Sequence, residues 1–117
     1  MKIFLDSVNL DYLEKWSWLI EGITSNQKIF AKEGIHDIDE AYDRVKTIRN
    51  HCNLEHISVQ LPLRYDQNEE DFSLIDKFLS IGWEIVLKLP PILDAIPYIY
   101  YVKEKHGNRI NVTAITY

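Results

Sequence analysis

The sequence predicts an α/β fold of about five parallel strands and four helices, and three observations carry the prediction. Short β-rich runs recur at residues 3–6, 20–24, 56–61, 84–89 and 110–115. The stretches between them place apolar residues at helical spacing. The connections are short, and a parallel neighbour is reached only through a crossover, so helices that alternate with strands imply parallel pairing.

Each element follows from local chemistry. Ile3 to Asp6 form the first strand, and a short helix follows with Asn9 as its cap and Leu10, Leu13 and Trp16 as its apolar residues. The second strand runs from Ile20 to Thr24. Beyond it Ile38, Ala41, Val45, Ile48 and Cys52 step by three or four, with Asp37 or Asp39 as the cap. After the third strand, His56 to Leu61, one helical face carries Phe72, Ile75 and Phe78, and Gly82 sits where a helix would end in a left-handed residue. The fourth strand is Glu84 to Leu89. The last helix tolerates Pro97 in its first turn, runs to Gly107 and leads into the fifth strand, Ile110 to Ile115. Such an order fits either a small flavodoxin-like sheet or the first half of a (β/α)₈ TIM barrel, whose closed form takes roughly 200 to 250 residues. Length alone favours the sheet.

The 117 residues are read as a single domain, 1–117, with 46% hydrophobic and 26% charged residues to build and solvate one core. A formal net charge of −5 argues against phosphate backbones and anionic membranes as partners. The lone Cys52 reads as a small core residue in a reducing compartment, and Asp6 interrupts the opening apolar run too early for a signal peptide. The expected location is cytoplasmic. His36, His51, His56 and His106 share no metal-ligand spacing, and the four isolated glycines form no phosphate loop. No metal or cofactor is expected.

In both candidate folds chemistry gathers at the carboxyl ends of the strands. There the chain places Asp6, then Thr24-Ser25-Asn26, then Gln60, Lys88, Asn111 and Thr113. Lys88 lies inside the apolar run Ile85 to Leu89, where helices covering the strand would bury it and lower its pKa. A partly neutral amine attacks a carbonyl to form a Schiff base, the electron sink of class I aldol chemistry. Asp6 would then transfer a proton, with Gln60 and Thr113 orienting the relay. A strand-end lysine can also snorkel to solvent or pair with Asp6, and strand-end Asn and Thr residues often cap helices.

These residues resemble the transaldolase family, in particular its small members grouped with fructose-6-phosphate aldolase. Met1-Lys2-Ile3-Phe4-Leu5-Asp6-Ser7-Val8-Asn9 is similar to the family's opening, and Gly22-Ile23-Thr24-Ser25-Asn26-Gln27 to its strand-two turn. Ile29 to Gly34 resembles the stretch after that turn. Val86-Leu87-Lys88-Leu89-Pro90 resembles the segment that holds the Schiff-base lysine, and Asn111-Val112-Thr113 the fifth barrel strand.

The resemblance implies a partial (β/α)₈ barrel in which Lys88 forms the imine and Asp6 transfers a proton. Asn26, Asn111 and Thr113 would position a dihydroxyacetone unit and a catalytic water, with Ser25 beside them. In the family a Gln at the position of Gln60 marks the aldolase subgroup and a Glu the transaldolases. The implied activity is transfer or cleavage of a dihydroxyacetone unit of a ketose phosphate such as fructose 6-phosphate. Departures are Ser25 for Thr, Gln27 for Pro and Val8 for Ala. The chain stops at Tyr117, whereas the family continues through strands six to eight, which carry its phosphate-binding serine and arginine residues. Activity would then need a homo-oligomer or a complementing fragment. The alternative is an inactive truncated remnant or binding module. A response-regulator-like receiver shares the length but requires an aspartate where Gln60 stands.

Overall fold

Strand order decides between the two architectures. The computed structural model describes residues 2–63, 69–89 and 95–112. Strands β1 (Phe4–Asp6), β2 (Gly22–Thr24), β3 (His56–Gln60), β4 (Ile85–Leu89) and β5 (Ile110–Val112) form one sheet in the order β1-β2-β3-β4-β5, every neighbouring pair parallel. A flavodoxin-like sheet reverses direction after its first two strands. This sheet never reverses, so right-handed crossovers put every connecting helix on the same face. The arrangement is an α/β fold consistent with a partial (β/α)₈ barrel, and it corrects the preference that chain length alone gave to the open sheet.

The helices are α1 (Leu10–Trp16), α2 (Gln27–Lys32), α3 (Ile38–His51), α4 (Glu69–Leu79) and α5 (Ile96–His106). Asn9 caps α1 by accepting from the Tyr12 amide at 3.0 Å, and Asp37, not Asp39, caps α3. The expected four helices become five among the described residues, because α2 is a separate element. Asn26 starts it, and Gly34, at φ 73, stops it in a conformation that a side chain would strain. Gly82 is a second correction. Only Gly34 and Gly107 have positive φ, so the turn after α4 closes without a left-handed glycine there. It is held instead by the Arg109 guanidinium, which donates to the carbonyls of Leu79, Gly82 and Ile85.

Alternation along the strands separates two faces. Ile23, Ile57, Val59, Ile85, Leu87, Leu89 and Ile110 are buried under the helices, where they meet Leu13, Phe30, Val45, Ile48, Ile75, Phe78 and Val102. Each such side chain contributes about 1.5–3 kcal/mol through burial. The opposite face carries Phe4 and Asp6, Gly22 and Thr24, His56, Ser58 and Gln60, Val86 and Lys88, and Asn111. The right-handed crossovers place the described helices on the other face. The expectation that Lys88 lies inside a strand buried on both sides is therefore corrected: β4 alternates buried and half-buried residues, and Lys88 is half-buried. Its side chain belongs to the concave face, where a closed barrel would have its interior. Thr113 lies outside the described residues.

Candidate active site

Parallel register brings the strand-end residues into rows. Asp6, Thr24 and Ser58 are aligned across β1, β2 and β3, and Gln60, Lys88 and Asn111 across β3, β4 and β5. Because side chains alternate, every member of both rows faces the same way. Below them Phe4, Gly22 and His56 form a third row, in which the Phe4 and His56 rings meet edge to face at 5.3 Å. Gly22 permits this contact. A Cβ there would lie 2.3 Å from the His56 carbonyl oxygen and 2.8 Å from Cε1 of Phe4.

The rows enclose a cavity of about 420 Å³ lined by Asp6, Thr24, Ser25, Asn26, His56, Ser58, Gln60, Lys88 and Asn111. Six of the seven residues expected from the sequence thus share one concavity. They differ in what they are free to do. The Ser25 hydroxyl donates to the Ser58 carbonyl at 2.7 Å, tying the β2 turn to β3. Asn26 Oδ1 accepts from the Ile29 amide at 3.0 Å, the capping role that Asn residues commonly take. Asp6 Oδ1 accepts from the Thr24 hydroxyl at 2.8 Å. Among the described residues, Gln60, Lys88 and Asn111 have no hydrogen-bond or ion-pair partner for their side chains, so Lys88 is not paired with Asp6. Polar groups left without partners at a cavity wall are available to a ligand.

Charge is sparse. Among the described residues that line the cavity, Lys88 is the one lysine or arginine and Asp6 the one carboxylic acid side chain. Burial pushes the His56 imidazole below its ordinary pKa near 6.5, with Glu21 partly offsetting the shift, so the cavity floor is neutral at pH 7. Among the described residues no three His, Cys, Asp or Glu side chains are grouped to hold a metal ion, and no helix is long and apolar enough to cross a membrane. A neighbouring hollow of about 450 Å³ between α2 and α3 shares only Gln60 with the cavity and has an apolar floor that includes Phe30, Ile35 and Val59.

Thr24, His56 and Ser58 are cavity residues to which sequence reasoning gave no role. The signal was present in the pattern His56-Ile57-Ser58-Val59-Gln60, where polar residues alternate with apolar ones. Reading the strand at period two assigns His56 and Ser58 to the face of Gln60.

No family model matches the chain. Comparison with curated proteins finds relatives named probable transaldolase across distant organisms. That of Cytophaga hutchinsonii is 30% identical over 98% of this chain and 52% of its own length. The Clostridium botulinum protein is 31% identical over 98% of this chain and 50% of its own, and that of Nitrosopumilus maritimus 27% over 98% and 49%. The chain spans about half the length of the curated relatives it matches. Along nearly its whole length it is similar to half of a transaldolase, consistent with the N-terminal half.

Proposed function

We propose that this chain, alike along its length to half of a transaldolase, carries the Schiff-base part of a site that transfers or cleaves the dihydroxyacetone unit of a ketose phosphate. One observation supports the reading most directly. An unpartnered lysine stands in register between two unpartnered amides, on a concave face that also holds a carboxylate.

The chemistry follows from the groups present. The Lys88 amine attacks the ketone carbon, and its two hydrogens leave with the carbonyl oxygen as water, giving an imine that takes up one proton. The bond between the third and fourth carbons then breaks. Its electron pair is drawn toward the protonated imine nitrogen to leave an enamine, and the hydroxyl proton on the fourth carbon passes to Asp6 as the aldehyde departs. Gln60 and Asn111 flank the imine and orient the hydroxyls of the three-carbon unit, joined by the amide of Asn26. Thr113, two residues beyond Asn111 in the sequence, joins Gln60 in the proton relay. Gln60 rather than Glu inclines the reaction toward reversible cleavage.

The phosphate end is a separate matter. With one lysine and no arginine among the described residues that line the cavity, a second copy of the chain or a complementing fragment would supply the remaining anion contacts. A binding module without turnover is the second reading, and that single cation is the observation in its favour.

Borohydride reduction in the presence of dihydroxyacetone, followed by peptide mapping, tests the proposal because it freezes an imine on the lysine that formed it. One adduct per chain on Lys88, abolished in Lys88→Met, is the expected result. Adducts scattered over exposed lysines, or none, would leave the binding-module reading.

A further inference from the structure

Asp6 stands at the end of a weakly supported strand. β1 spans three residues and, among the described residues, pairs on one side only. Directly after Asp6 the chain leaves the sheet through Ser7, Val8 and Asn9 and enters α1. An aspartate so placed keeps its carboxylate in one position only if that connection is itself fixed. Two local bonds shape it: the Ser7 hydroxyl accepts from the Asn9 amide at 3.0 Å, and Asn9 Oδ1 accepts from the Tyr12 amide. A third bond comes from 36 residues away. The Arg44 guanidinium, half-buried on α3, donates to the Val8 carbonyl at 2.8 Å.

The choice of partner is informative. Glu40 precedes Arg44 by four residues on α3, the spacing and order that favour a helical ion pair. Arg44 nevertheless forms no salt bridge with a described residue and places its charge on a neutral carbonyl. Such charge-assisted bonds are shorter and stronger than neutral ones. The Val8 side chain is 0% exposed, so the residue is held both by its packing and by its carbonyl. The chain between Asp6 and α1 is thereby tied to a helix that packs elsewhere in the core through Ala41, Val45 and Ile48.

We infer that Arg44 is a positioning residue for Asp6: by holding the Val8 carbonyl it fixes the backbone that carries the carboxylate to the cavity. The inference rests on the reading of Asp6 as the group that takes the hydroxyl proton during aldehyde release. Proton transfer requires heavy atoms within about 2.6–3.2 Å, so a drift of about 1 Å at the end of β1 slows the step that uses Asp6. Imine formation on Lys88, three strands away on β4, is spared. Two elements then act on one residue. Thr24 of β2 orients the carboxylate, and Arg44 of α3 holds the main chain beyond it.

The test uses the full chain and fructose 6-phosphate with two readouts, borohydride trapping on Lys88 and the rate of aldehyde release at saturating substrate. Arg44→Met keeps the alkyl stem and removes the donor. Release is expected to slow about tenfold or more while trapping stays within about twofold. Arg44→Lys returns a charged donor and is expected to recover part of the rate. In an Asp6→Asn background Arg44→Met is expected to have no further effect, because it acts through the carboxylate. Unchanged release, equal losses in release and trapping, or a loss that multiplies with that of Asp6→Asn overturns the inference while leaving Lys88 in place. An unsubstituted chain that traps on Lys88 but releases no aldehyde removes the role of Asp6 and this inference with it. Absence of any Lys88 adduct removes the Schiff-base reading as well.

Discussion

Thr24 shows how a residue of the concave face acts through its neighbour. Its hydroxyl holds Oδ1 of Asp6 at 2.8 Å, and both side chains are exposed, so the bond orients the carboxylate more than it stabilises the fold. Thr24→Val should therefore cost only about 0.5–1 kcal/mol in denaturant unfolding. On the proposed function, aldehyde release from a ketose phosphate should fall while Lys88 trapping stays intact, and Thr24→Ser should restore release. Gly22 is the opposite case. Gly22→Ala places a methyl group against the His56 main chain and should destabilise the protein by about 1–3 kcal/mol in the same assay. His56 supplies a pH dependence. Burial lowers its folded pKa below the ordinary value near 6.5, so the unfolded chain binds the proton more readily. Stability then falls as pH drops through 6.5 toward the folded pKa. His106 acts in the same direction, since burial outweighs the attraction of Asp76 at 3.7 Å. Thermal unfolding followed from pH 7.5 to 5 should show Tm decreasing, and His56→Gln should shrink the decrease without abolishing it.

At the scale of elements, two devices hold the strand ends in place. Asn26 is both a wall of the cavity and the cap of α2, so its replacement has a double effect. Asn26→Ala should cost about 1 kcal/mol by losing the cap. Asn26→Asp keeps a capping oxygen and should recover that stability, so any defect in ketone binding that remains isolates the part played by the amide. At the other end of the sheet, Arg109 spans three carbonyls of the segment from α4 to β4. This clamp sets the start of β4, and with it the register that carries Lys88 to Asn111. Arg109→Ala should destabilise by about 2 kcal/mol, and Arg109→Lys should recover little, because an ammonium group lacks the planar fork. Equilibrium unfolding of the two variants distinguishes lost charge from lost geometry.

The whole molecule is an arc with two ends. Among the described residues, β1 and β5 each pair on one side only. The helices and loops beside them expose Tyr12, Trp16, Trp18 and Leu19 at one end and Ile96, Tyr100 and Tyr101 at the other. Bare strand edges beside apolar side chains favour pairing with another chain. Sedimentation velocity should show concentration-dependent association. Ile3→Lys, beside the β1 edge and 40% exposed in the native chain, should weaken it severalfold without changing Tm. A monomer at all concentrations would count against assembly as the route to a complete site.

Much of this was legible in the linear chain, for a physical reason. The positions of Asn9, Asp37, Pro97 and Gly107 at helix ends depend on hydrogen bonds and backbone angles within a few residues, and so does the alternation of strands with helices. The motifs around Asp6, Asn26, Lys88 and Asn111 also identified the strand-end residues that line the cavity, because chain order and strand polarity together bring those ends to one side. What sequence reading lacked was everything set by pairing between distant segments. Strand order separates a barrel arc from an open sheet, and that order is a choice among neighbours far apart in the chain. Lys88 was expected beneath helices, but its burial depends on which face the crossovers cover. Ser25 and Asn26 are engaged by β3 and α2, while the side chains of Gln60, Lys88 and Asn111 have no partner among the described residues. Local chemistry determined which residues reach the strand ends. Only tertiary register decided which of them are already bonded and which remain open to a ligand.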